Sequence, residues 1–186
     1  MRFALVFFFS ALFIFPAAAT EIAWAKLSEG GHTILLRHAI APGTGDPANF
    51  KLDDCRTQRN LSDQGRQQAQ RMGARFAARA IKIDAVLTSQ WCRAIDTAKL
   101  AFPRLEIIAE PALNSFFDDP SSEAEQTAAV LKLVGAFEGA GNQVMVTHQV
   151  NILALTGVSP REGEAIIVDA SSDGTSIIVI GRQLFD

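Results

Sequence analysis

The chain has 186 residues, and 48% of them are hydrophobic, enough to fill the core of one domain of roughly 100–200 residues. Its formal net charge of -3 excludes the basic field that draws a protein to nucleic acid. Basic residues do gather between Arg56 and Arg79, a pattern that suits a solvated helix face as well as contact with an anionic substrate.

Met1-Arg2 makes a short positive start, Phe3 to Phe15 is apolar, and Pro16-Ala17-Ala18-Ala19 has the small residues of a cleavage site. Residues 1–19 therefore read as a signal peptide and 20–186 as the domain. The apolar stretch is short against the roughly 20 residues of a bilayer span, a retained anchor being the alternative. No cysteine at the cleavage site offers a lipid attachment point. The processed protein would begin near Thr20 and be exported, periplasmic or secreted, with no stable membrane insertion after cleavage.

The first strand is expected at Thr33–Arg37, where an apolar run ends in Arg37-His38. A long loop follows, carrying Asp46, Cys55, Arg56, Gln58 and Arg59. A helix is expected from about Ser62, a plausible N-cap, to Arg79, with Ala69, Met72, Gly73, Phe76 and Ala77 on one face. Strand Asp84–Thr88 leads into a helix from Trp91 to Ala101 that opens with Cys92 and Arg93. Strand Leu105–Ala109, the loop Pro111 to Pro120 and a helix from about Ser122 to Phe137 come next. Strand Gln143–Thr147 ends in His148, which opens a short helix to about Leu155. The last strands, Ala165–Asp169 and Ser176–Ile180, lack a helical spacer and can pair antiparallel at one edge across Ser171-Ser172-Asp173-Gly174. The alternation predicts an α/β fold, a three-layer αβα sandwich around a largely parallel sheet.

In such sheets, ligands bind outside the carboxyl ends of the strands. His38, Arg93 and His148 fall at or just past those ends, and the Pro111–Pro120 loop leaves the same rim. Arginine offers planar, permanently charged donors to phosphate oxygens, and a histidine near neutral pH can attack phosphorus or donate a hydrogen bond. The other roles for these residues are structural: ion pairs of Arg37 or Arg93 with Asp46 or Asp96, and a core position for His148. His32, before the first strand, reads as a surface residue on the opposite rim. Cys55 and Cys92 both belong near the mouth. In an oxidising compartment they are a disulfide candidate, against the alternative of two free thiols, one exposed and one packed.

The pattern Arg37-His38-Ala39, the segment from Arg93 through Asp96-Thr97-Ala98, and Thr147-His148 resemble the histidine phosphatase superfamily, also called phosphoglycerate-mutase-like. Asn60-Leu61-Ser62-Asp63-Gln64-Gly65 looks like that family's helix start after the first motif. The resemblance runs from about Gly31 to the C-terminus. It implies a phosphohistidine at His38, with Arg37, Arg93 and His148 as the phosphate clamp. It also implies a general acid. One branch places an aspartate directly after the second histidine, where this chain has Gln149. The other places a glutamate in the loop after the third strand, where this chain has none at the expected spot. Asp118 and Asp119 are the nearest carboxylates, with Asp118 preferred because Asp119 precedes Pro120. Arg56 and Arg59 are further substrate-binding candidates, a solvated loop being their alternative.

No cofactor is expected, and no metal: the histidines lack close pair spacing and the cysteines form no Cys-x-x-Cys set. The expected partner is a small phosphorylated substrate, and the sequence does not set the oligomeric state. The expected activity is phosphomonoester hydrolysis through a phosphohistidine. Its rivals are a non-hydrolytic phospho-ligand binding module and a phosphoglycerate-type mutase.

Overall fold

A computed structural model describes the backbone of residues 16–186 and the side chains from Glu21 onward. Most of the expected signal peptide, residues 1–15, lies outside the described residues. The chain from Pro16 forms helix α1 (Pro16–Glu29), an element the sequence reading left unassigned. Its composition explains it. The segment is rich in alanine, the strongest helix former, and Gly30-Gly31 ends it with φ of 77° and 80°, the left-handed region glycine enters freely. Ala23, Trp24 and Leu27 are buried. These packed residues all lie beyond the expected cleavage site near Ala19.

Strand β1 (Thr33–Arg37) is followed by the long segment from His38 to Ser62, whose only regular piece is a 3-10 turn, Cys55–Thr57. Helix α2 (Asp63–Ala78) begins where the Ser62 side chain accepts the Gly65 N–H, as a serine N-cap should. Strand β2 (Ile83–Thr88), helix α3 (Cys92–Ala101), strand β3 (Ile107–Ala109), helix α4 (Glu123–Gly135), strand β4 (Asn142–Thr147), helix α5 (Gln149–Thr156) and strands β5 (Glu164–Ala170) and β6 (Ile177–Leu184) complete the chain.

The six strands form one sheet in the order β3-β2-β4-β1-β5-β6. All neighbours from β3 to β1 pair parallel; β5 alone is inverted, antiparallel to both β1 and β6. The fold is the expected α/β class with a mostly parallel sheet. Successive strand residues point to opposite faces, and that alternation builds two cores. Ile34, Leu36, Val144, Val146 and Ile167 face the helices α1, α2 and α3. Leu35, Met145, Ile166 and Val168 face α4 and α5 through Val130, Val134 and Ile152. On the first face Phe76 meets Trp24, Phe185 and Phe102 at ring separations of 5.4, 5.5 and 5.6 Å. Each such pair adds about 0.5–1.5 kcal/mol beyond its buried area.

Helix α2 approaches its neighbours through glycine. A Cβ on Gly65 would lie 2.0 Å from the Ile40 carbonyl oxygen, and one on Gly73 2.0 Å from that of Ala101. Two strand ends differ from expectation by two residues or more. β3 starts at Ile107, because Leu105 is held in a turn by its N–H to the Phe102 carbonyl. β6 runs on to Leu184, through a register shift that Gly181-Arg182-Gln183 hides in the sequence.

Candidate active site

Strand pairing brings three loop ends together. β1 and β4 are adjacent and parallel, with Arg37 opposite Thr147, so His38 and His148 leave the sheet side by side. The His38 N–H donates to the Thr147 carbonyl at 3.0 Å, and the Ser89 N–H to that of Val146 at 2.9 Å. The ring centroids of His38 and His148 stand 5.4 Å apart. Thr97 of α3 locks this corner: its hydroxyl donates to the Arg93 carbonyl at 2.7 Å and accepts the Ala39 N–H at 3.0 Å.

A cavity of about 110 Å³ opens at this rim, lined among others by Arg37, His38, Arg59, Arg93, Asp118 and His148. That is space for a few water volumes or one small tetrahedral anion. A larger hollow of about 490 Å³ lies between α2 and α3, but its only polar side chains are Gln70 and Arg104. Chemistry therefore belongs to the smaller cavity.

Each basic side chain is held by one part and free at another. His38 Nδ1 lies 2.8 Å from the Ala39 carbonyl oxygen. A carbonyl only accepts, so Nδ1 carries the proton and Nε2 keeps its lone pair toward the cavity. Burial foremost, then the charge of Arg93, holds the His38 pKa well below 6.5, so the ring is neutral at pH 7. His148 Nε2 is 2.7 Å from the Ser89 hydroxyl, which also accepts the Trp91 N–H at 3.2 Å. When the hydroxyl proton goes to Nε2 rather than to Asn114 Oδ1, 3.3 Å from the Ser89 oxygen, His148 carries its own proton on Nδ1, a buried atom with no partner among the described residues. Burial, then neighbouring His38, lowers the His148 pKa as well.

Arg37 donates from Nη1 to the Pro160 carbonyl at 2.9 Å, and its Nη2 lies 3.8 Å from Glu162. Arg93 donates from Nη1 to Asp46 at 2.9 and 3.1 Å. The Nε of each arginine is buried and without a partner among the described residues. Three nitrogens on residues that line one cavity are thus left unpartnered among the described residues, and buried polar atoms are seldom left so. A phosphate supplies enough acceptor oxygens to satisfy them.

Other candidates are placed differently. Arg59 lines the cavity, but its guanidinium is largely committed to the loop's own Gly45 and Ala41 carbonyls. Arg56 points away: its side chain is 90% exposed and paired with Asp54 at 2.8 Å, two residues before it. Asp118 stands at the mouth, where a Cβ on Gly45 would lie 3.8 Å from its Oδ1. Asp119 is exposed, outside the cavity, and accepts from the Ser121 hydroxyl at 2.6 Å and N–H at 3.2 Å to cap a 3-10 turn. Gln149 lines the cavity but cannot act as an acid. His32 is not a free surface residue; its Nδ1 meets Asp169 at 2.7 Å. Cys55 and Cys92 are joined in a disulfide.

The sequence reading passed over Ser89 and Glu162, and met Asp46 only as a possible ion-pair partner. Asp46 is indeed paired with Arg93, whereas Asp96 lies 3.9 Å from Arg66. Burial alone would raise the Asp46 carboxyl. The hydrogen bonds from Arg93 and from the Arg59 amide outweigh it and hold the group below the usual carboxylate range.

A family model described as histidine phosphatase superfamily (branch 1) matches residues 33–117. The mitochondrial serine/threonine-protein phosphatase Pgam5 of Drosophila yakuba is 32% identical over 97 residues, which are 52% of this chain and 31% of that protein. The chain thus spans about a third of the length of this curated relative. A mycobacterial glucosyl-3-phosphoglycerate phosphatase complexed with VO3 has TM-score 0.58 at 17% identity, over 81% of this chain and 97% of its own. The protein histidine phosphatase SixA complexed with tungstate has TM-score 0.55 at 16% identity, over 82% and 96%. At these identities the solved structures share the fold.

Proposed function

The chain belongs to the histidine phosphatase superfamily, and from that premise we propose that it is a phosphomonoesterase acting through a phosphohistidine at His38. One observation carries the reading. Arg37 Nε, Arg93 Nε and His148 Nδ1 are buried and unpartnered among the described residues, and the residues that carry them line the same cavity as His38. Neutral His38 attacks phosphorus through Nε2 while its Nδ1–H stays on the Ala39 carbonyl, which steadies the cation that forms. Arg37 and Arg93 balance the charge that grows on the phosphoryl oxygens, and His148 donates from Nδ1. The alcohol leaves with a proton from Asp118. Water then hydrolyses the phosphoramidate and frees His38. The neighbours that hold VO3 and tungstate fit a small phosphorylated substrate here.

We extend the proposal to export. The apolar Phe3–Phe15 run and the small residues after it support a leader, and the Cys55–Cys92 disulfide supports an oxidising compartment. Intact mass of protein recovered from the cell envelope is expected to start near Thr20; a mass starting at Met1 means a retained anchor.

Rapid-quench labelling with a radiolabelled phosphate ester tests the chemistry. The expected result is an acid-labile, base-stable phosphoenzyme that disappears in His38→Ala. A phosphate-binding module would take up vanadate and give no label. Equal labelling of His38→Ala would remove His38 from the mechanism.

A further inference from the structure

Asp46 holds the back of the clamp. Arg93 Nη1 donates to its Oδ1 at 2.9 Å and to Oδ2 at 3.1 Å, the Arg59 amide to Oδ1 at 2.9 Å, and Trp91 Nε1 to Oδ2 at 3.0 Å. The two side chains are nearly closed to solvent, Arg93 at 3% and Asp46 at 6% exposure. These contacts occupy the roughly four lone-pair sites of an ionised carboxylate. Nothing is left to bind a substrate, and a carboxylate would repel a phosphate oxygen in any case. Whatever Asp46 does, it does through the groups it holds.

The important one is Arg93. With Nη1 fixed by Asp46, and 3.3 Å from the Arg59 carbonyl, the opposite edge of the guanidinium carries Nε and Nη2. Nε is buried and unpartnered among the described residues. Two parallel N–H groups on one planar edge form the fork that takes two phosphate oxygens at once. Asp46 comes from the β1–α2 loop and Arg93 from the first turn of α3, so the same contact also sets the loop against the helix.

We propose that Asp46 is a positioning residue for phosphoryl transfer, anchoring Arg93 by Nη1 so that its Nε/Nη2 edge is presented to the phosphate. The proposal rests on the phosphatase reading of this cavity. It predicts a sign opposite to simple charge balance. Removing a carboxylate makes the cavity more positive, which alone would tighten binding of an anion. Loss of positioning weakens it.

The test is a double-mutant cycle on Asp46→Asn and Arg93→Ala, read as kcat/KM on p-nitrophenyl phosphate and as Kd for orthovanadate. Asp46→Asn is expected to lower kcat/KM by about 100-fold, the scale of an ångström's misplacement, and to weaken vanadate binding. Added to Arg93→Ala it should cost less than about threefold, because the group it positions is gone. The full loss in the Arg93→Ala background, or tighter vanadate binding by Asp46→Asn, overturns the proposal. Should Asp46→Asn not fold, Asp46→Glu keeps the charge and moves it by one methylene; a loss of about tenfold or more is expected, and wild-type kcat/KM there also overturns it. If the wild type hydrolyses no phosphomonoester, the phosphatase reading fails, while the cycle on vanadate binding still decides the role of Asp46.

Discussion

Cys55 is cross-linked to Cys92, the residue immediately before Arg93. Gln58, three residues after Cys55, accepts the Cys92 N–H through its side-chain oxygen at 2.9 Å. The bridge therefore clamps the irregular β1–α2 loop, with Asp46 and Arg59, to the turn that presents Arg93. A closed loop with a sequence separation of 37 should stabilise the fold by about 3–4 kcal/mol. The expected outcome is a lower urea midpoint for the reduced protein or the Cys55→Ser/Cys92→Ser variant. Matching midpoints with and without reductant would show that the loop is held by its other contacts.

His38 and His148 give stability a pH dependence with a definite sign. Burial, with Arg93 acting on His38 and His38 on His148, depresses both folded-state values well below 6.5. The unfolded chain takes up these two protons near the ordinary histidine value, about pH 6.5, and the folded chain only at lower pH. Below the unfolded value the unfolded state binds more protons, so unfolding free energy falls as pH falls. The contribution is complete above that value and is lost on the way down through the folded values. Urea midpoints at about pH 7.5 and about pH 5.5 measure it, and the difference should shrink in His38→Asn/His148→Asn. A wild-type midpoint that does not move across this range would contradict the burial of neutral rings.

The glycine contact between α2 and α3 makes a separate claim about packing. A methyl on Gly73 would meet the Ala101 carbonyl, which is backbone and cannot swing aside. Gly73→Ala improves helix propensity yet should destabilise by about 1–3 kcal/mol, because overpacking wins. Thermal unfolding measures the sign. An unchanged or raised midpoint would mean that the two helices separate at little cost.

His38, Arg93 and His148 were legible because each follows an apolar strand, and strand ends converge in a parallel sheet by topology alone. The role of Asp46 was not. It depends on the path of a loop with no periodicity, fixed by a carboxylate's four hydrogen bonds and a disulfide rather than by local preference. Helix α1 was hidden by composition, since its alanines mark no face and only Ala23, Trp24 and Leu27 are its buried apolar contacts among the described residues. The partner of His32 was hidden for a topological reason. Because β5 runs against β1, Val168 sits opposite Thr33, and the next residue, Asp169, falls beside His32. The reach of Arg56 failed on chemistry two residues away, where Asp54 takes its guanidinium in two hydrogen bonds.

Asp46, Asp119 and Asp118 are separated by what holds them. Asp46 is kept ionised by Arg93 and its other donors, and is a poor source of a proton. Asp119 is held below the usual carboxylate range by the Ser121 hydroxyl and N–H, and stands outside the cavity. Asp118 lines the cavity beside Gly45 and Phe117, close enough for its charge to act on Arg93, and no side chain among the described residues is hydrogen-bonded to it. It is therefore the acid expected to protonate the leaving oxygen. An acid matters most when the leaving group is poor. Asp118→Asn should lower kcat/KM on alkyl phosphates by about 100-fold or more, and on activated aryl phosphates by less than about tenfold. Asp119→Asn should stay within about threefold of wild type on both, as an exposed turn residue remote from the reaction. The measurement is a leaving-group series for both variants, with log kcat/KM plotted against leaving-group pKa. A steeper slope for Asp118→Asn than for wild type identifies the acid. Parallel lines for Asp118→Asn and wild type would remove Asp118 and send the search to Glu123, Glu125 or a water bound with the substrate.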